Sequence, residues 1–146
     1  MRMLDGVQAR DETILVARVL LVVLFAVSGW GKLTGFSGTV AYMTQVGAPV
    51  PSVAALVATV VECLGAIAIA LGVWTRPIAL VLALFTLGTA VIGHPFWTME
   101  GADRYANATN FYKNVSIIAA FLLLYVTGPG KYSLDARLGS SIASPA

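Results

Sequence analysis

The 146-residue chain has one cysteine, Cys63, so it can form neither an intrachain disulfide nor a self-contained Cys-x-x-Cys dithiol cycle. It also has one histidine, His94, which cannot supply both axial ligands of a bis-histidine haem. No group of His, Cys or carboxylate residues has metal-ligand spacing. A Rossmann glycine fingerprint and a Walker loop are both missing. No cofactor is therefore expected to be bound by this chain, and any electron transfer would use a diffusible molecule or a partner. Charge is scarce as well: 11% of residues are charged and the formal net charge is +2, too small and too scattered for a nucleic-acid footprint.

What the chain has in quantity is apolar surface. Hydrophobic residues make up 58%, against about 45–50% in soluble domains. Four apolar runs stand out: Ile14 to Leu33, Val53 to Leu71, Pro77 to Gly93, and a shorter one from about Tyr112 to Val126 or Thr127. At about 1.5 Å per residue the first three reach about 25–30 Å, close to the hydrocarbon thickness of a bilayer. The fourth can be lengthened at its start by Phe111, Tyr112 and a snorkelling Lys113. The expected fold is an all-α membrane protein, a four-transmembrane-helix bundle in one domain over residues 1–138, with a Ser/Ala tail from Gly139 expected to be disordered. Val19 to Val27 resembles the core of a signal peptide, but Arg18 interrupts the run and it continues to Leu33, so an uncleaved first span is the reading adopted.

Between the first two runs, Phe36, Val40, Met43 and Val46 recur at helical spacing, which predicts a short interfacial helix before the Gly47-Ala48-Pro49-Val50-Pro51 breaker. Gly72 and Pro77 bracket a tight turn, which predicts an antiparallel hairpin of the second and third spans. If spans alternate, Arg2, Arg10, Arg18, Arg76, Lys131 and Arg137 share one side, and Lys32, Arg104 and Lys113 the other. The positive-inside rule then places both termini in the cytoplasm. Trp30, Trp97, Tyr105 and Tyr112 fall at one expected interface and Trp74 and Tyr132 at the other, as in an aromatic belt.

Ionisable groups inside spans cost several kcal/mol unless paired or wet. Glu62 lies mid-span, and Ala55, Ala58, Thr59, Gly65 and Ala66 share its helix face, so it is expected to face the bundle interior. Arg18, Phe25, Gly29 and Lys32 form the matching stripe on the first span. Counted from the outer ends of their spans, Arg18 lies at about 21 Å and Glu62 at about 14 Å, a gap of about 7 Å that an arginine side chain can bridge. Arg18–Glu62 is the expected buried pair, with Lys32 as the other candidate partner. Lys32, His94, Lys113 and Asn114 come from three helix ends on one leaflet and form a candidate ligand-binding mouth, with Gly29 and Gly65 expected to leave room beneath. Two bland readings stand beside these: a purely structural ion pair, and lysines that only snorkel to water.

The residues so assembled resemble the DoxX family of small four-span bacterial membrane proteins. The resemblance rests on Arg18, Ser28-Gly29-x-x-Lys32-Leu33, Gly47-x-Pro49-x-Pro51, Glu62-x-x-Gly65, Gly72-x-x-Thr75-Arg76, His94, Lys113-Asn114 and Gly128-Pro129-Gly130-x-Tyr132-Ser133-Leu134-Asp135. One departure is Cys63-Leu64, where many relatives have paired glycines. The resemblance implies a four-helix bundle and an association with respiratory or redox chemistry. Relatives include the membrane subunit of a thiosulfate:quinone oxidoreductase and a partner of oxidative-stress proteins. Three functions remain open: a subunit of a redox system that binds a quinone or small anion, a structural or assembly subunit of a larger membrane complex without activity of its own, and passage of a small solute or proton along the polar line. The last lacks the broken helices that transport folds use.

Overall fold

The structure, a computed structural model, describes residues 2–139; most of the tail expected to be disordered, residues 140–146, lies outside them. It is built from helices α1 (Arg2–Thr34), α2 (Phe36–Gln45), α3 (Pro51–Leu71), α4 (Thr75–Gly93), α5 (Gly101–Thr127) and the short α6 (Leu134–Leu138), with one 3₁₀ turn at Phe96–Thr98. Four stretches are long and apolar enough to cross a membrane: Arg10–Thr34, Pro51–Leu71, Thr75–Thr98 and Gly101–Thr127. Many large apolar side chains point outward, Leu20, Leu64, Leu84 and Leu123 each being more than 60% exposed. Only a hydrocarbon solvent suits such a surface.

The four long helices form two packed antiparallel pairs, α1 with α3 and α4 with α5. The turn Gly72 to Trp74 joins the pairs at the end of the bundle where the chain's carboxyl-terminal segment lies, called here the tail end; α2 and the 3₁₀ turn mark the far end. The apolar core sits toward the tail half, where Val22, Ala66, Ile69, Ala79, Leu82 and Leu124 are buried. Phe25 and Phe121 meet edge to face with centroids 5.4 Å apart, an arrangement that suits the aromatic quadrupoles.

Small residues set the spacing within α1–α3. A Cβ on Gly29 would lie 2.8 Å from Cys63 Sγ and 3.0 Å from its backbone nitrogen, so the two backbones touch there. A Cβ on Gly65 would come within 2.8 Å of Leu82 Cδ2. These glycines therefore seat neighbouring groups and do not open the space expected beneath the polar mouth.

The fourth long helix, α5, starts at Gly101, about three turns before the apolar run that begins near Tyr112. Its first turns are too polar to read as an apolar run; the 3₁₀ turn packs along it, with Arg104 over the Phe96 ring at 5.9 Å and aromatic contacts further on. Phe96 lies 5.4 Å from the Phe111 ring and 5.9 Å from that of Tyr112, and Trp97 lies 5.9 Å from Phe111.

Candidate functional site

Two polar centres sit at opposite ends of the bundle. At the tail end the guanidinium of Arg18, 1% exposed, donates from Nη1 to the Pro129 carbonyl (2.6 Å) and from Nη2 to those of Tyr132 (2.7 Å) and Ala70 (3.2 Å). Its Nε is buried without a partner among the described residues. One planar, permanently charged fork thus ties α1 to the end of α3 and to the loop after α5. The same loop leads to Asp135, whose carboxylate accepts from the backbone nitrogens of Trp74 (2.8 Å) and Thr75 (2.9 Å). This caps α4 from a distance and holds Trp74 in the left-handed region at φ 46°. Asp11 closes the knot by accepting from the Lys131 backbone nitrogen at 3.1 Å.

Arg18 and Glu62 do not pair. The contact of Gly29 with the backbone of Glu62 and Cys63 fixes the register of α1 on α3, and Arg18 precedes Gly29 by eleven residues, about 16 Å along the helix. That distance exceeds the side chain's reach. The apolar boundaries of two helices do not fix their register; here the Gly29–Cys63 contact does.

Glu62 pairs instead with Lys32, Nζ to Oε2 at 2.8 Å, with side chains 21% and 8% exposed respectively. Lys32 Nζ also donates to Ser28 Oγ, one turn earlier, at 2.5 Å. The expected small face around Glu62 is present, since Ala55, Ala58, Thr59, Gly65 and Ala66 are all buried.

The Lys32–Glu62 pair lines a cleft of about 420 Å³ in the far half of the bundle. Lys32 and Ser28 line it from α1 and Glu62 from α3; Thr89 and His94 face them from α4 and its end, with Asn114 from α5 and Tyr42 from α2. Most of the remaining wall is apolar, including Leu24, Val57, Phe85 and Ile92. The cleft lies between the two helix pairs, not in a gap between α1 and α3. Of the expected mouth, Lys32, His94 and Asn114 come together and Lys113 does not: it is exposed and absent from the lining. Adjacent residues on a helix point about 100° apart, so a face that sends Asn114 inward turns Lys113 away.

Two features were missed from sequence. Asn107 Oδ1 lies 3.0 Å from His94 Nδ1, and its own Nδ2 donates to the Asp103 carbonyl at 3.0 Å; Asn107 falls in a polar stretch with no periodic signal. Tyr42 reaches over from α2, its hydroxyl 3.5 Å from the Gly93 carbonyl.

The fold and its polar seam define an integral membrane protein, a small helical bundle with an apolar-walled cleft around a part-buried ion pair. The DoxX family model matches residues 13–95, and the chain belongs to the DoxX family. It is 50% identical over 137 residues to inner membrane protein YphA of Escherichia coli (strain K12), covering 94% of this chain and 98% of that protein. Inner membrane protein YqjF of the same organism is 44% identical over 128 residues, covering 88% and 93%. No solved structure matches.

Proposed function

We propose that this protein resides in the bacterial inner membrane with both termini cytoplasmic and holds an amphipathic ligand in the cleft, a quinone in the reading the family resemblance implies, as a non-catalytic subunit of a membrane redox system. The observation that carries the reading is the cleft itself. Its volume of about 420 Å³ falls within the roughly 300–1,000 Å³ of small-molecule sites, which are mostly apolar with a few convergent polar groups. Lys32, His94 and Asn114 supply those groups here, and the apolar wall suits a hydrocarbon tail. On this reading the chain's own contribution is binding and orientation.

A second reading is favoured by the closure of the polar seam on itself. Lys32 already satisfies Glu62 and Ser28 without a ligand, as expected of a structural or assembly subunit whose ion pair only orders the bundle. Purification from native membranes, followed by mass spectrometry of bound small molecules and proteins, separates the two. A quinone retained in stoichiometric amount supports the first. Protein partners with an empty cleft support the second.

A further inference from the structure

The ligand reading leaves open which chemical form of head group the cleft prefers, and the His94–Asn107 contact bears on that. The Asn107 amide nitrogen is committed to the Asp103 carbonyl. Flipping the amide would set its oxygen against that carbonyl, two acceptors at 3.0 Å, so the oxygen must face the ring. An amide oxygen can only accept, so Nδ1 carries a proton, and in the neutral form of the ring Nε2 carries none. Nε2 is left as an acceptor. No protein group bonds it among the described residues, and it is not among the buried atoms without a partner. Glu62 adds to the same character: Oε2 takes the Lys32 bond, while Oε1 has no hydrogen bond among the described residues and is not a buried orphan either. Both residues line the cleft.

Resting on the ligand site proposed above, we infer that Asn107 locks His94 as a hydrogen-bond acceptor, so that the cleft selects a head group that donates a hydroxyl proton, a phenol or hydroquinol, over the corresponding carbonyl form. Lys32 can still donate to an oxygen of either form, so discrimination falls to the acceptors. Asn107 is a positioning residue, acting through the ring.

The test uses the full chain in lipid nanodiscs, purified through a histidine-free tag, with decylhydroquinone under anaerobic conditions and decylbenzoquinone as probes. Since His94 is the chain's one histidine, nitrogen-15 histidine labelling gives a single pair of ring signals. In alkaline buffer Nε2 is expected at a pyridine-type shift and Nδ1 at a pyrrole-type shift. The hydroquinone is expected to bind about tenfold more tightly than the quinone, which corresponds to about 1.4 kcal/mol, the upper range for one neutral hydrogen bond. Asn107→Leu should mix the two tautomers and shrink the preference. A pyrrole-type Nε2, or a quinone that binds as tightly as the hydroquinone, overturns the inference and leaves the ligand site standing. Binding of neither probe overturns the ligand site, and the inference with it.

Discussion

Removing one member of the Lys32–Glu62 pair should harm the protein more than removing both. At 2.8 Å two unit charges attract by about 6 kcal/mol at an effective dielectric of about 20, before desolvation is counted. Desolvation takes back much of this, because both side chains are largely withdrawn from solvent. Glu62→Ala would leave the Lys32 ammonium in the bundle with only Ser28 beside it, and breaking one side of a buried pair typically costs about 3–5 kcal/mol. Glu62→Gln keeps the volume and an acceptor and should cost less. The double replacement Lys32→Met/Glu62→Leu removes both charges and should be close to neutral, or stabilising by up to about 4 kcal/mol. Reversible unfolding in mixed micelles of wild type, Lys32→Met, Glu62→Leu and the double variant, read by tryptophan fluorescence, would give the four stabilities of the cycle. If the double variant loses as much as the two single variants together, the pair is not coupled and the argument fails.

Other consequences can be measured separately. Arg18→Met strips donors from three carbonyls, each worth about 1–3 kcal/mol when left unsatisfied, and should make the loop around Lys131 a protease site; an unaltered digestion pattern would count against the knot. Asp135→Ala should cost about 0.5–2 kcal/mol, as for a lost helix cap, and speed hydrogen exchange at the Trp74 and Thr75 amides in particular. Gly29→Ala forces a Cβ against Cys63 and Glu62 and should destabilise by about 1–3 kcal/mol, with a smaller effect at Gly31, whose Cβ would meet nothing. A phosphatase reporter fused after Gly139 should be inactive and one inserted at Gly47 active; the reverse pattern would invert the assigned topology.

The four spans and the α2 helix were legible because bilayer thickness and helical period leave plain marks on the sequence. The inward face of α3 was legible for the same reason, as small residues recur around Glu62 at helical spacing. What periodicity cannot carry is the register between helices. That depends on where two backbones touch, and the Gly29–Cys63 contact moved the partner of Glu62 from Arg18 to Lys32. Backbone acceptors were equally invisible, since the carbonyls that hold Arg18 belong to Ala70, Pro129 and Tyr132, whose side chains give no sign of the role. The motifs Gly72-x-x-Thr75 and Tyr132-x-x-Asp135 could be quoted from sequence, but only the fold brings Asp135 to the amide of Thr75. Asn107 escaped notice because its work is to orient a neighbour.

The central claim is that the cleft between the two helix pairs is a ligand site and not merely a packing gap. Gly88 lines it, and a Cβ added there meets nothing within 4 Å, so Gly88→Phe can occupy the cleft while leaving Lys32, Glu62 and His94 in place. Binding of decylhydroquinone to wild type and to Gly88→Phe in nanodiscs, with thermal stability recorded alongside, is the most direct measurement. The account predicts saturable binding by wild type and its loss in a variant that melts no lower. Equal binding by both proteins, or none by wild type, would contradict it.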